Sequence, residues 1–160
     1  MRDLSRSQID ILLSVVPAVS IAVVDRLTKI FFSENLGFGE SIPVIKNIFH
    51  FTLVHNTGIA FGLFKHHGVV FIIVPIIAIA LLVFNLYYYR HNNEVLSLEY
   101  ILAFSLILGG AIGNLIDRIL YGYVIDFIDF RIWPVFNIAD SAITIGAVII
   151  AFKCFQMSTK

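Results

Sequence analysis

Asn114–Asp140, NLIDRILYGYVIDFIDFRIWPVFNIAD, is the stretch that decides how this chain is read. It leaves one apolar run through Asn114, Asp117 and Arg118. It then crosses an aromatic segment carrying Asp126 and Asp129, and enters another apolar run through Asn137 and Asp140. Ionisable groups beside hydrocarbon are costly, and where they occur they are functional candidates. Two carboxylates brought together in such a place cannot both ionise easily, which makes a proton-sharing pair. Asp126 and Asp140 are the candidates for that pair.

Composition sets the solvent. Of the 160 residues, 59% are hydrophobic and only 14% are charged, against roughly a quarter charged in a soluble domain. A chain this short cannot bury so much apolar surface in one globule, so lipid is the expected surroundings. The net charge is zero, which points away from nucleic acid and from acidic substrates. One cysteine, Cys154, excludes an internal disulfide, and no ligand spacing suggests a metal.

Working outward, four apolar runs stand at about 9–32, 68–89, 99–120 and 137–156, and each is expected to span. The first begins after Arg2 and Arg6 like a signal peptide, but Asp10 and Pro17 interrupt it and no small-residue cleavage site follows, so it reads as uncleaved. Tyr87, Tyr88 and Tyr89 close the second run as an interfacial belt. Gly109 and Gly113 in the third permit close approach of a neighbouring helix. Ile48–Val54 partly alternates and predicts a strand, and Ile59–Phe64 is apolar but too short to span. The segment between the first two runs therefore reads as a small β-containing platform on the bilayer surface. Tyr121–Phe136 reads as a loop. The fold class is an all-α membrane protein of one integral domain, residues 1–160. With an even number of spans and a cytoplasmic amino terminus, Asp25, Lys29, Asn56, Asn114, Arg118, Asp126 and Asp140 all fall on the outer side. Lys and Arg placement supports that orientation only mildly.

Gly110, Asn114 and Arg118 share one helical face, with Asp117 close to it. Arg118 could simply snorkel to water, but an amide one turn deeper on the same stripe suits holding another polar group. Asp140 has two readings: an acid in the first turn of a helix capped by Asn137, or half of a catalytic pair. Asp126 is either a solvated loop acid, as Asp129 could be, or the other half. Its neighbours Val124, Ile125, Phe127 and Ile128 favour a site poor in water. Other chemistries fit less well. G-x-S-x-G and H-E-x-x-H are absent. His66 and His67 read as solvated, His55 as facing water or headgroups, and a Ser33–Lys29 pair lacks an oxyanion donor. A small transporter or channel using Asp25, Arg118 and Asp140 as pathway charges is the alternative class, but no internal repeat is visible. A non-catalytic scaffold is a third.

The residues also carry a resemblance. DRLTK at Asp25–Lys29, NTGIAF at Asn56–Phe61, GGAIGNLIDR at Gly109–Arg118, VIDF at Val124–Phe127 and FNIADS at Phe136–Ser141 follow the order and spacing of bacterial lipoprotein signal peptidases, the signal peptidase II family. The resemblance covers nearly the whole chain. It implies four transmembrane helices with both termini cytoplasmic, in the bacterial inner membrane, and an active site near the extracytoplasmic surface. It implies an aspartyl endopeptidase that cuts diacylglyceryl-modified prolipoproteins just before the lipidated cysteine, and that globomycin-type peptides inhibit. The implied catalytic pair is Asp126 and Asp140. The implied substrate-binding or supporting positions are Asp25, Lys29, Asn56, Gly110, Asn114, Arg118 and Asn137. Membrane lipid is the implied surrounding partner; no metal, cofactor or nucleic acid is implied.

Overall fold

In the computed structural model, which describes residues 6–58, 70–91 and 97–158, one helix organises the rest. This is α3 (Leu98–Tyr121), which packs against α1 (Arg6–Asn35), α2 (Val70–His91) and α4 (Ile138–Ser158). Small residues let it do so. A side-chain carbon on Gly109 would strike the Ala18 carbonyl of α1, and one on Gly110 would strike the Ala139 carbonyl of α4. Adjacent glycines thus serve two different neighbours, and backbone meets backbone on both sides. Gly122 ends α3 in the left-handed conformation at φ 78°, with its N–H on the Arg118 carbonyl.

The helix α1 buries Ser14, Ala18, Asp25 and Lys29 at spacings of four and seven, one stripe of a helix, and Leu36 just past its end is buried too. Its other face exposes Leu12, Val15, Val16, Val19, Val23 and Leu27. An apolar stripe with no protein over it is what a hydrocarbon solvent permits. Four long helices were expected as spans. By length and composition two of the described helices qualify, Leu98–Tyr121 and Ile138–Gln156. The apolar part of α2 runs Ile72–Asn85, and α1 breaks its apolar run with Asp25, Arg26 and Lys29.

The platform is a three-stranded antiparallel sheet in the order β1 (Ser41–Ile45), β2 (Phe49–Asn56), β3 (Val124–Asp129). The expected strand at Ile48–Val54 is β2. The third strand corrects the reading of Tyr121–Phe136 as a loop, and it means that the platform is not confined to the segment between the first two helices. Its sequence, V-I-D-F-I-D, does not alternate apolar with polar residues, and both of its faces are buried. A bulge between Phe51 and Val54 shifts the β2–β3 register, so that Val54 faces Asp126 and His50 faces Asp129. One side of the sheet closes on the end of α1: Leu36, Leu53 and Ile125 are buried together with Phe32, Phe51 and Tyr123 against them. Phe32 also stacks on Phe127 at 4.3 Å between ring centres. The expected headgroup segment Ile59–Phe64 and the His66–His67 pair lie outside the described residues.

Because the α3–α4 approach is backbone on backbone, Gly110→Ala has no flexible side chain to push aside. It is expected to cost about 1–3 kcal/mol, read as a lower unfolding midpoint in detergent. Gly37→Ala meets only the end of Glu40 and should leave the midpoint close to that of the wild type.

Candidate active site

Four elements converge above the α3–α4 crossing. From α1 comes Lys29, whose side chain is wholly buried. Its ammonium lies 2.7 Å from Asp25 Oδ2 and 2.9 Å from Asp117 Oδ2, and donates to Asn114 Oδ1 at 2.9 Å. An ammonium has three donors and no acceptor; here it makes one hydrogen bond, to Asn114, and two close ion pairs, with Asp25 and Asp117. The two acids are tied in turn. Asp25 Oδ1 accepts the Ala139 N–H at 2.9 Å, which anchors the first turn of α4 to α1. Asp117 accepts the Ile125 N–H at 3.1 Å, which anchors β3 to α3. Arg26 reaches Asp117 Oδ1 at 3.2 Å, and its other nitrogen donates to the Tyr121 hydroxyl. Two cations thus balance two buried carboxylates.

The Lys29 ammonium fixes the orientation of an amide. Lys29 offers no acceptor, so Asn114 must turn its oxygen toward the lysine and its NH2 away. That NH2 donates to Asp140 Oδ1 at 2.7 Å. A second amide works beside it. Asn137 caps α4 in the expected way, with its Oδ1 accepting the Asp140 N–H at 2.8 Å. Its Nδ2 donates to Asp126 Oδ1 at 2.7 Å and to Asn114 Oδ1 at 3.0 Å. A continuous path therefore runs Asp126–Asn137–Asn114–Asp140. The other Asp126 oxygen accepts from Asn56 Nδ2 at 2.9 Å, across from β2. Among the described residues no hydrogen bond reaches Asp140 Oδ2, and Asp140 stands in the wall of an open groove of about 560 Å³.

Asp126 is buried, not a solvated loop acid. Burial pushes its carboxyl up to about 7; the charge of Asp140 adds to the rise, while the Asn56 and Asn137 hydrogen bonds and the Lys29 charge oppose it. Asp129 differs. Burial would raise it too, but the Thr52 hydroxyl at 2.7 Å and the Arg131 backbone and guanidinium at 2.8 and 2.9 Å hold it below the usual carboxylate range. It is the acid that clasps a turn, with Arg131 at φ 66°.

The site residues read from the sequence therefore meet in one place. Asp25 and Lys29 lie underneath, Asn56 lies at the sheet, and Asn114 and Asn137 lie between the acids. Arg118, half-buried, donates to the Asn114 carbonyl at 3.3 Å and stands within electrostatic reach of Asp140, Asp126 and Asp117. Gly110 touches no polar group of the site and serves by letting α4 come close. In the sequence Asp117 reads only as lying close to the Gly110–Asn114–Arg118 face, with no role, and Arg26 is not singled out. The signal for Asp117 was its place three residues after Asn114 on the same helix; Arg26 gave none beyond adjacency to Asp25.

Comparison with known proteins places this arrangement first in a class. A solved bacterial membrane enzyme, determined by the in meso method at 2.3 Å resolution, superposes with a TM-score of 0.81 at 33% identity, covering 99% of this chain and 94% of the other. The fold is that of a helical membrane enzyme. The chain belongs to the signal peptidase II family, a peptidase family whose sequence model matches residues 17–156. A lipoprotein signal peptidase of Halothermothrix orenii is 43% identical over 136 residues, 85% of this chain and 90% of its own. That of Moorella thermoacetica is 44% identical over 140 residues, 88% and 89% of the two chains.

Two outcomes follow from the geometry. Lys29→Met leaves Asp25 and Asp117 buried with one cation fewer, and should cost about 3–5 kcal/mol of stability, seen in denaturation of the purified protein. For Asp126 the folded value lies above the unfolded value of about 3.9, so the folded state holds its proton more tightly. That contribution is fully present below about pH 4 and is lost as pH rises through about 7. The unfolding midpoint of the wild type should therefore fall relative to that of Asp126→Asn between pH 5 and 8; a constant difference across that range would contradict the assignment.

Proposed function

We propose that this protein is an aspartyl endopeptidase of the membrane, removing the signal peptide from diacylglyceryl-modified prolipoproteins by cutting before the lipidated cysteine. Its setting is the bacterial inner membrane. All four helices span, both termini are cytoplasmic, and the site sits near the extracytoplasmic surface. The observation that carries the catalytic reading is the amide path joining Asp126 to Asp140, with Asp140 in the wall of an open groove. Family membership and the names of the relatives support the substrate.

The chemistry needs one proton between two carboxylates. Burial favours its residence on Asp126. Asp140 takes a proton from a water molecule as the water oxygen attacks the scissile carbonyl carbon, and Asp126 gives its proton to the carbonyl oxygen. The tetrahedral diol collapses as its C–N bond breaks. A proton passes to the leaving nitrogen, and another returns to the pair. Asn114 and Asn137 keep the two carboxylates in register throughout, so little reorganisation is required during reaction. Arg118 stands within electrostatic reach of both acids. The buried ion pairs close on themselves, which suits a scaffold for a site better than a path for ions. Globomycin-type cyclic peptides, on this reading, occupy the same groove as the substrate.

Asp126→Asn and Asp140→Asn should each fold and lose roughly 10²–10⁴-fold in turnover of a lipid-modified prolipoprotein, followed by mass spectrometry of the released signal peptide. Normal turnover by either variant sinks the pair. In the wild type, cleavage should decline as pH rises through about 7, where the shared proton is lost.

A further inference from the structure

Away from the two acids, α1 and α3 leave an apolar groove of about 470 Å³ between them. Val15, Val19 and Val23 wall it on α1, and Leu108, Ile112 and Ile116 on α3. It ends at Arg26 and Leu27. One turn further along α1, Ile30 enters a second cavity of about 410 Å³, which Ser33, Glu34, Tyr121 and Tyr123 also line. Arg26 donates to the Tyr121 hydroxyl, so the two cavities meet at that pair. We propose, independently of the peptidase reading, that together they hold one zwitterionic phospholipid with an ammonium headgroup, such as phosphatidylethanolamine, from the leaflet on the active-site side.

The order of chemistry along α1 selects this ligand. From Val15 to Leu27 the helix rises roughly 18 Å, enough for one leaflet, about half of a roughly 30 Å hydrocarbon core. Over that length Arg26 is the only polar side chain in the groove. Its guanidinium has five donors, of which one reaches Asp117 and one Tyr121. A planar fork with donors to spare suits a phosphate. Two turns beyond stands Glu34. Asp25, Asp117, Asp129 and Glu99 each have a cation beside them; among the described residues none pairs with Glu34. Apolar groove, cation, anion is the complement of acyl chain, phosphate, ammonium. The charge count agrees. Lys29 and Arg26 already balance Asp25 and Asp117, which leaves Glu34 uncompensated. A phosphate lipid without an ammonium would add a second negative charge there. The wall of the upper cavity is set in advance. Phe38, His55, Tyr123 and Tyr121 stand ring against ring at 4.9, 4.1 and 5.8 Å, and the Arg26 guanidinium closes the row over Tyr121 at 5.2 Å.

The test is native mass spectrometry of the full-length protein, titrated with phosphatidylethanolamine or phosphatidylglycerol of the same acyl chains. The wild type should retain one phosphatidylethanolamine and prefer it roughly fivefold, the scale of one partly exposed ion pair. Glu34→Gln, at an exposed position, should erase the preference and leave phosphatidylglycerol binding as it was. Val19→Trp, which fills the apolar groove, should weaken both lipids equally. A phosphatidylethanolamine with a diazirine in its acyl chain should label Val19, Leu108 or Ile112. Equal affinity for the two lipids in the wild type, or a preference that survives in Glu34→Gln, overturns the proposal. So does labelling confined to α2 or α4. Free phosphoethanolamine carries the same charges without the chains and should not displace the lipid; displacement would mean a soluble ligand and would equally overturn it.

Discussion

A lysine ammonium with no exposure to solvent survives in an apolar fold only when opposite charges and polar oxygens stand close around it. Lys29 meets that condition with Asp25, Asp117 and Asn114. Each acceptor then fixes something else. Asp25 ties the start of α4 to α1 through Ala139, Asp117 ties the start of the third strand to α3 through Ile125, and Asn114 has its amide orientation dictated. One cation therefore sets where α4 begins, where β3 begins and which way the deepest amide points. A buried charge network of this kind contributes little net stability over an apolar core. Its effect is positional.

That positional effect reaches the two carboxylates through amides, not through further charges. Asn114 and Asn137 each hold one oxygen of one acid, and they hold each other. Amides can do this without choosing a protonation state for the pair, since they are neutral at any pH the protein meets. The charge that does act on the acids is their own mutual repulsion, set against Lys29 beneath and Arg118 beside them. On the proposed aspartyl mechanism, the two acids have to be buried enough to share a proton and open enough to admit water. Asp140, in the wall of the groove, supplies the second requirement.

The site was more legible in the sequence than the platform was. Asn137 followed three residues later by Asp140 reads as a cap and its first-turn acid, and it is one. Asp126 could be read as buried because four apolar residues flank it. The third strand was not legible, because acids at two of its six positions look like solvated loop until their partners on β2 and on the helices are known. The burial of Lys29 was also hidden: it stands four residues after Asp25 at what looks like a frayed helix end, and its partners Asn114 and Asp117 come from a helix far along the chain. Gly110 was legible as a position of interest, but the close approach it permits required the path of α4. The helix ends were readable from capping and apolar length; the path of the strands depended on side chains that meet only in the folded chain.

The coupling between Asp126 and Asp140 is measured most directly by carbon NMR of the aspartate carboxyls across a pH titration, in wild type and in Asp140→Asn. Asp126 should titrate near 7 in the wild type. Without the neighbouring charge its midpoint should move down, yet stay above that of an exposed aspartate because burial persists. A midpoint that does not move when Asp140 is neutralised would mean that the two acids do not feel each other, and would contradict the account.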